Sequence, residues 1–264
     1  VKVLEERTFR ITEFFPVASK RSVGSDVSFR GRTYKVIGMD EAIAAAPNIV
    51  LFSAGSATSM EWAHKFAGAG AVVIDNSSAW RMHPDIKLVI PEINANVIRK
   101  KDRIIANPNC STIQMLMPLY PLYKKYGIKR IIVSTYQSVT GTGMRAVEQL
   151  MNERKGIQSE KIYPYPIDLN VIPHISDFNE EGYTKEEVKM AEETQKIFDD
   201  KKVKVTATCV RLPVVGGHSE SVNVEFKKDF KIKDVRRILS DTKGVGLQDD
   251  FRNNKYPMPL YVQG

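Results

Sequence analysis

The sequence predicts an α/β fold in which a doubly wound parallel sheet is followed by a second, α+β domain. Short β-branched strands alternate with helix-like stretches up to about residue 110, a pattern typical of parallel sheets covered by helices. Beyond that point, longer runs alternate as strands with one buried face do. The 264 residues are enough for two domains of ordinary size. We therefore predict domains at 1–110 and 111–264.

The first predicted strand, Ile11–Val17, leads into a turn rich in hydroxyls and cations. Ser19, Arg21 and Ser22 lie in this turn, and such groups give a phosphomonoester charge-assisted hydrogen bonds. If this is the second strand of a dinucleotide-binding sheet, the turn is where a cofactor's 2′-phosphate would lie. A solvated basic loop is the alternative explanation of the same residues.

Five further short strands complete the predicted sheet. Some end in small or polar residues, as buried parallel strands do where the chain approaches a ligand. The strands are predicted at 33–37, 49–52, 71–75, 88–92 and 103–106, and helices at 41–46 and 61–70. Arg81 follows the strand at 71–75. Its spacing leaves open whether it clamps a phosphate or lies on the surface.

Residues 107–112, Asn-Pro-Asn-Cys-Ser-Thr, join the last of these strands to an apolar segment with helical spacing. The join would place Cys110 at the start of a helix, where free backbone N–H groups and the helix dipole lower the pKa of a thiol. We therefore predict a nucleophilic thiolate. The alternative is that Cys110 is a small buried apolar residue, the commoner state of a free cysteine.

The segment after this turn is predicted as a helix that Pro118 and Pro121 kink or split. A strand at 128–137 then carries Gln137 toward the sulfur. In the loop beyond it, glycines leave backbone that can approach a flat ring closely. These glycines are Gly141 and Gly143.

A capping box at 184–187, Thr-Lys-Glu-Glu, predicts the start of another helix. Glu186 and Lys189 are three residues apart and share a face of its first turns. An exposed ion pair between them is as good an explanation of this spacing as contact with a ligand. The sequence alone leaves both explanations open.

Two alternating runs, 203–211 and 221–226, are predicted to be partner strands. Arg211 and His218 flank the Gly-rich connection between them. A nucleophilic cysteine needs a base elsewhere in the chain, and His218 is the candidate. Cys209 lies in mid-strand without such a neighbour and is expected in the core.

Three segments together resemble the aspartate-β-semialdehyde dehydrogenase family, and the resemblance extends over essentially the whole chain. They are NPNCSTIQM at 107–115, STYQSVTGTGM at 134–144 and CVRLPVVGGHSES at 209–221. The resemblance implies a Rossmann-type cofactor domain and a catalytic and dimerisation domain. The implied reaction is reduction of β-aspartyl phosphate by NADPH to aspartate β-semialdehyde and phosphate, on the route to lysine, threonine, methionine and isoleucine.

The resemblance also implies roles for individual residues. Cys110 would form a thioester, His218 would act as acid and base, and Gln137 would hold the intermediate by hydrogen bonds. Arg211 would grip the α-carboxylate with its planar fork, and Glu186 would face the ammonium. Phosphate would be bound by Lys189, Arg81 and Asn109.

The same resemblance makes NADP, rather than NAD, the expected cofactor. Its 2′-phosphate would be bound by Ser19, Arg21 and Ser22, while Gly141 and Gly143 would lie near the nicotinamide. No Cys or His spacing predicts a metal site.

Two alternatives to this function remain open. N-acetylglutamyl-phosphate reductase resembles this layout, but its acylated substrate lacks the free ammonium that Glu186 would face. A non-catalytic remnant is the other, because the family's first strand and Gly-rich phosphate loop are expected before Val1 and its C-terminal helix after Gly264. The retained site residues favour a partial sequence of an enzyme over a remnant.

The net charge of +8 comes from 39 basic and 31 acidic residues that are interspersed along the chain. Without a basic stripe interleaved with aromatics, nucleic acid is not an expected partner. No apolar run approaches about 18 residues, so no membrane span is expected. Two cysteines make no disulfide framework, which favours the cytoplasm. The expected partners are a small-molecule substrate and further copies of the chain, as a homodimer or homotetramer.

Overall fold

A computed structural model describes residues 1–158 and 160–262, and its chain divides into two units. The first unit comprises Val1–Val89 and Ala95–Asn107. The second contains Ile90–Asn94 and continues from Pro108 onward. The domain boundary at residue 110, and the roles given to the two domains, stay predictions.

The first unit is built on a parallel sheet. Its elements are α1 (Lys2–Glu5), β1 (Asp26–Phe29), β2 (Arg32–Lys35), α2 (Met39–Ala44), β3 (Ile49–Phe52), α3 (Ser56–Gly68), β4 (Val72–Asp75) and β5 (Lys87–Leu88), and then, after α4 (Pro91–Asn94) of the second unit, a 3₁₀ turn (Ala95–Val97) and β6 (Ile104–Ala106). The strands β3, β4, β6 and β5 lie side by side in that order, all parallel. Phe52 of β3 packs edge-on against Phe66 of α3, with 5.7 Å between ring centroids. The predicted parallel α/β architecture is confirmed, but two of the predicted strands are corrected. The strand predicted at 33–37 overlaps β2, which pairs antiparallel with β1 outside the parallel sheet. The strand predicted at 88–92 ends at Leu88, and helix α4 begins at Pro91.

The predicted strand at Ile11–Val17 is wrong. Of these residues, Val17 makes a single isolated bridge and the others pair with no strand. Pro16 has no N–H to contribute to a ladder. Phe14 instead stacks on Phe29, with ring centroids 4.3 Å apart. The run is therefore a loop whose aromatic residue packs on the antiparallel hairpin β1–β2.

The second unit combines a three-stranded sheet with helices. Its elements after α4 are α5 (Cys110–Tyr126), β7 (Ile128–Ser138), a 3₁₀ turn (Val139–Thr142), α6 (Met144–Arg154), α7 (Lys185–Phe198), β8 (Lys204–Leu212), β9 (Ser219–Phe226), α8 (Ile232–Asp241), a 3₁₀ turn (Phe251–Asn253) and α9 (Pro259–Val262). One face of β7, including Ile131 and Val133, is buried. Helix α7 packs on β8, and α5 contacts α7 and β9.

The predicted pairing of β8 with β9 is wrong, because β7 lies between them. It runs parallel to β8 and antiparallel to β9. β7 has 11 residues, against nine in β8 and eight in β9, and its two edges each form a ladder with one of them. The six residues between β8 and β9 therefore cross the end of β7 and bring His218 to that end.

Helix α5 is continuous from Cys110 to Tyr126, although it contains Pro118 and Pro121. Of the two predicted outcomes, a split of the helix at these prolines is wrong, and a kink stays a prediction. Buried side chains on one face, among them Leu116 and Leu119, supply packing that offsets the missing backbone hydrogen bonds. Among residues 1–158 and 160–262, none of the helices, α5 included, has the length and apolar character that a bilayer span requires.

Candidate active site

Helix α5 begins in the turn at residues 107–112. Asn109 is its N-cap, and its side-chain oxygen accepts the backbone N–H groups of Ser111 at 2.9 Å and Thr112 at 3.4 Å. Cys110 is the first helical residue, and it is exposed. The predicted helix start is confirmed, and the alternative of a core cysteine does not hold.

The pKa of the Cys110 thiol is raised, which contradicts the predicted lowering. Desolvation of the thiol is the largest cause, and the Glu186 carboxylate adds to it. The N–H and hydroxyl of Ser111 and the Arg211 cation act in the opposite direction without outweighing these effects. The resting sulfur is therefore a thiol, and the nucleophile must be generated by proton transfer.

Cys209 lies in the core, as predicted. It is 0% exposed, and its Sγ lies 3.8 Å from the Sδ of Met190. Burial raises its pKa to about 12. Of the two thiols, Cys110 is therefore the more accessible and the more easily ionised.

The buried carboxylate of Glu186, on α7, accepts hydrogen bonds from three side chains. Asn109 Nδ2 donates to its Oε1 at 2.8 Å, and Gln137 Nε2 donates to the same atom at 3.2 Å. Lys189 Nζ donates to its Oε2 at 3.2 Å. Burial alone raises the pKa of Glu186, but these donors outweigh it and the net pKa is lowered. Glu186 is charged at neutral pH, and the alternative of an exposed ion pair is wrong because this carboxylate is only 5% exposed.

Gln137 reaches the same cluster from the end of β7 and is 1% exposed. Thr135 Oγ1 donates to its Oε1 at 2.9 Å. The carbonyl end of the amide is thereby held, and the NH₂ end points to Glu186. An amide fixed in this way offers hydrogen bonds in a constant direction at any pH.

His218 is half-buried just before β9. Its Nδ1 accepts the backbone N–H of Ser138 at 3.0 Å, so the neutral ring carries its proton on Nε2. Burial and the Arg211 cation lower the pKa of His218, and Glu186 opposes them only in part. The imidazole is therefore neutral at pH 7, with Nε2–H available as a donor.

Arg211, on β8, is 5% exposed. Its Nη1 donates to the carbonyl oxygen of Ser138 at 2.6 Å, and its Nε is buried without a hydrogen-bond partner among the described residues. Arg211 also lowers the pKa values of both Cys110 and His218. These three groups therefore share one electrostatic environment with Glu186.

Gly141 and Gly143 follow β7. A Cβ at Gly141 would lie 3.2 Å from Arg211 Nη1 and 3.2 Å from His218 Nε2, so the missing side chain leaves room for both groups. Gly143 has a φ of +108° at the N-cap of α6, a conformation that favours glycine. Packing and backbone shape thus explain both glycines, and their contact with a nicotinamide stays a prediction.

Ser19, Arg21 and Ser22 belong to the first unit. The Ser22 N–H donates to the carbonyl oxygen of Ser19 at 2.8 Å, which closes a turn with Arg21 exposed on it. Arg81 also lies in this unit and is 7% exposed, with Nη2 donating to the carbonyl oxygen of Asn76 at 3.0 Å. This arginine is therefore not a surface residue, and its binding of phosphate stays a prediction.

Two residues near the site escaped the sequence analysis. Ser138 holds both His218 and Arg211 through its backbone, and its position directly after Gln137 at a strand end was the available signal. Glu193 accepts the backbone N–H of Asn109. Its spacing of seven residues from Glu186 places it on the same helix face.

Glu220, on β9, is a partly exposed residue outside this cluster whose carboxylate points inward. Both carboxylate oxygens are buried without a hydrogen-bond partner among the described residues, and burial raises the pKa to about 8. Between pH 4.5, the ordinary value, and about 8 the folded protein keeps a proton that the unfolded chain has released. Stability should therefore fall as pH rises through this window, by at most about 1.4 kcal/mol per pH unit.

We expect Glu220→Gln to remove the fall in stability with rising pH, because the glutamine amide does not titrate. The free energy of urea unfolding, measured at pH 5.5 and 7.5, should fall less with pH in the variant than in the parent. Glu225→Gln, at an exposed position of the same strand, is the control and should behave as the parent does. An unchanged pH slope in Glu220→Gln would contradict the prediction.

No group of three or more His, Cys, Asp or Glu side chains within residues 1–158 and 160–262 is arranged to hold a metal ion. The site of the second unit brings together an accessible thiol, a neutral imidazole, a buried carboxylate and a buried guanidinium.

Two protein-family models match the chain. Residues 1–101 match "Semialdehyde dehydrogenase, NAD binding domain", and residues 119–264 match "Semialdehyde dehydrogenase, dimerisation domain". The chain is 50% identical over 273 residues to aspartate-semialdehyde dehydrogenase of Aquifex aeolicus, covering 100% of this chain and 80% of the relative.

Solved structures agree with these matches. Aspartate semialdehyde dehydrogenase II from Vibrio cholerae superposes with a TM-score of 0.94 at 43% identity, covering 100% of this chain and 80% of that one. The same enzyme complexed with ASA gives 0.94 at 42% identity with the same coverage. The chain therefore belongs to the aspartate-semialdehyde dehydrogenase family, a family of oxidoreductases of amino-acid biosynthesis with a nicotinamide-cofactor domain and a dimerisation domain.

Proposed function

We propose that this chain catalyses the NADPH-dependent reduction of β-aspartyl phosphate to aspartate β-semialdehyde and phosphate, and the reverse reaction. The proposal is carried by the observation that Arg211 is a buried cation with no ion pair among the described residues. Its charge acts on the Cys110 sulfur, whose pKa it lowers. We assign the cofactor to residues 1–110, and catalysis and dimerisation to 111–264. The expected assembly is a homodimer or homotetramer, and the expected compartment is the cytoplasm.

Arg211 and Glu186 together suit the amino-acid end of the substrate. A buried guanidinium is costly unless an anion compensates it, and an α-carboxylate would bind its free edge. The charged Glu186 carboxylate would attract the α-ammonium, which the N-acetylated substrate of the rival reductase lacks. The V. cholerae relative complexed with ASA supports a substrate of this class.

Cys110 would pass its thiol proton to His218 and attack the acyl carbon, forming a C–S bond while the bond to phosphate breaks and phosphate leaves with the electron pair. NADPH, when bound, supplies a hydride to the acyl carbon. The resulting thiohemiacetal then releases the aldehyde as the C–S bond breaks and the electron pair returns to sulfur. Gln137 would donate hydrogen bonds to the substrate oxygen without titrating.

In its observed tautomer, His218 is better placed to donate a hydrogen bond to the substrate oxygen than to accept the thiol proton of Cys110. With Nδ1 occupied by the Ser138 N–H, the neutral ring offers Nε2–H to the negatively charged oxygen of the tetrahedral adduct. To act as a base at Nε2, the ring would need its other tautomer, which leaves the Ser138 N–H without an acceptor. The proposed acid and base role therefore includes a tautomer change.

Phosphate is the remaining ligand to be assigned. Lys189 keeps 25% of its side-chain surface exposed beside Glu186, and Asn109 lies next to the sulfur. We propose these two residues as ligands of the acyl phosphate. By the family resemblance, Arg81 of the first unit is also proposed to bind phosphate.

The turn of Ser19, Arg21 and Ser22 is proposed to bind the 2′-phosphate of NADP. The observation in its favour is the exposed Arg21 on a tight turn with two nearby hydroxyls. Only NADP brings a phosphate to this position, so the turn would determine the choice between NADP and NAD.

The test is an assay of aspartate semialdehyde oxidation with NADP or NAD, with and without inorganic phosphate. The parent should need phosphate and prefer NADP. In Arg21→Ala we expect KM for NADP to rise about tenfold or more, as loss of hydrogen bonds to a charged group predicts. KM for NAD should remain nearly unchanged.

Arg32→Ala, at an exposed arginine of β2 outside the turn, is the matched control. Equal rises in KM for both cofactors in Arg21→Ala would show that the turn does not bind the 2′-phosphate. A reaction that proceeds at full rate without phosphate would refute the phosphorylating mechanism itself.

A further inference from the structure

Glu193 of α7 is a buried acid that the proposed chemistry does not use. It is 0% exposed, and its Oε2 accepts the backbone N–H of Asn109 at 2.7 Å. The two residues are 84 positions apart, so this hydrogen bond ties α7 to the turn that opens α5. A carboxyl buried this deeply is costly unless its oxygens accept hydrogen bonds. The contact with Asn109 meets part of that requirement.

Helix α7 holds Asn109 at two points. Glu193 accepts its backbone N–H, and Glu186, two helical turns earlier on the same face, accepts its side-chain Nδ2 at 2.8 Å. The side-chain oxygen of Asn109 meanwhile accepts the N–H of Ser111. Neither the main chain nor the side chain of Asn109 can turn without breaking one of these hydrogen bonds. Helix α7 therefore fixes the turn.

Cys110 follows Asn109 directly, so the position of its sulfur depends on the turn. Covalent attack needs reacting atoms about 3–3.5 Å apart and aligned, and a displacement of about 1 Å costs on the order of 10²-fold in rate. We infer that Glu193 is a positioning residue, which sets the place of the Cys110 sulfur through the backbone N–H of Asn109. This inference rests on the proposed role of Cys110 as nucleophile.

Two variants test whether the accepted hydrogen bond matters. Glu193→Gln keeps an oxygen that can accept the Asn109 N–H, whereas Glu193→Leu keeps a similar volume without an acceptor. In the Leu variant we expect kcat to fall on the order of 10²-fold. Its KM for aspartate semialdehyde should change less than about threefold, since the groups that bind the substrate remain. The Gln variant should keep at least about one third of kcat, because its acceptor remains.

Buried Cys209 and exposed Glu192 supply the controls. Iodoacetamide labels Cys209 only if the second unit opens, so an unlabelled Cys209 beside a low kcat is the expected result for Glu193→Leu. Glu192→Leu, one residue away on the exposed face of α7, should keep the parent kcat. A loss of kcat that appears only together with Cys209 labelling would overturn the inference, because it would show that Glu193 stabilises the second unit and does not position the sulfur. Normal kcat in Glu193→Leu would also overturn the inference.

If Glu193→Leu does not fold, Glu193→Asp takes its place, since it keeps the carboxyl group and withdraws the acceptor by one methylene. A low kcat for the Asp variant beside a retained kcat for Gln supports the inference, and equal values overturn it. Cys110→Ala is measured in parallel. Activity in Cys110→Ala would refute the proposed function, whereas an inactive Cys110→Ala beside normal Glu193 variants would refute the positioning role alone.

Discussion

Cys110→Ala is expected to abolish the phosphate-dependent reduction of NADP by aspartate semialdehyde. Alanine leaves no atom that can form the thioester, and no other thiol is available, because Cys209 is buried with a pKa of about 12. Loss of the nucleophile in a covalent mechanism lowers kcat on the order of 10⁴-fold or more. The assay follows NADPH absorbance in the parent and variant at saturating phosphate.

Cys209→Ala is the matched control and should retain the parent's rate. Limited labelling with iodoacetamide, followed by mass spectrometry, should modify Cys110 first, since it is exposed. Preferential modification of Cys209 would contradict the assignment of the nucleophile. So would substantial turnover by Cys110→Ala.

Local signals in the sequence predicted the start of α5 and the capping box of α7 correctly. An N-cap residue and a capping box act within about one helical turn, so their residue types suffice. Thr184 accepts the N–H of Glu187, and Glu187 accepts the N–H of Thr184, as predicted. Both helix starts could therefore be read without knowing the tertiary structure.

The sign of the Cys110 pKa shift could not be predicted in the same way. A helix N-terminus lowers a thiol's pKa, but burial and, after it, the Glu186 carboxylate raise the pKa of Cys110 more. Glu186 is 76 residues further along the chain, and no local pattern reports its distance from the sulfur. Strand order failed for the same reason: runs adjacent in the sequence suggested a β8–β9 pair, whereas β7, which precedes α6 and α7 in the chain, lies between them.

Family resemblance supplied what local patterns lacked. It grouped Cys110, Gln137, Glu186, Arg211 and His218, and hydrogen bonds and shared electrostatic effects connect these residues within the second unit. It gave no reason for Glu193, whose carboxyl oxygen accepts a backbone N–H. Residues that act through the backbone leave few traces in a motif.

Arg211→Lys is expected to lower kcat/KM for aspartate semialdehyde roughly 10- to 150-fold. This corresponds to a loss of about 1.5–3 kcal/mol in transition-state binding. In the parent, Nη1 is occupied by the Ser138 carbonyl at 2.6 Å, while Nε has no partner among the described residues. The guanidinium can therefore bind Ser138 and still offer a second edge to a carboxylate. A lysine ammonium keeps the charge but has no planar pair of donors for that edge.

Whether the change falls on KM or on the pH dependence of kcat distinguishes a ligand contact of Arg211 from a purely electrostatic effect. Because lysine preserves the positive charge that lowers the pKa values of Cys110 and His218, the pH dependence of kcat should be similar in the parent and Arg211→Lys, while KM for the semialdehyde rises. Arg130→Lys, at an exposed position of β7, should change neither quantity. An unchanged kcat/KM in Arg211→Lys would place Arg211 outside the substrate site, since a carboxylate bound by its fork cannot lose half of its donors without weaker binding.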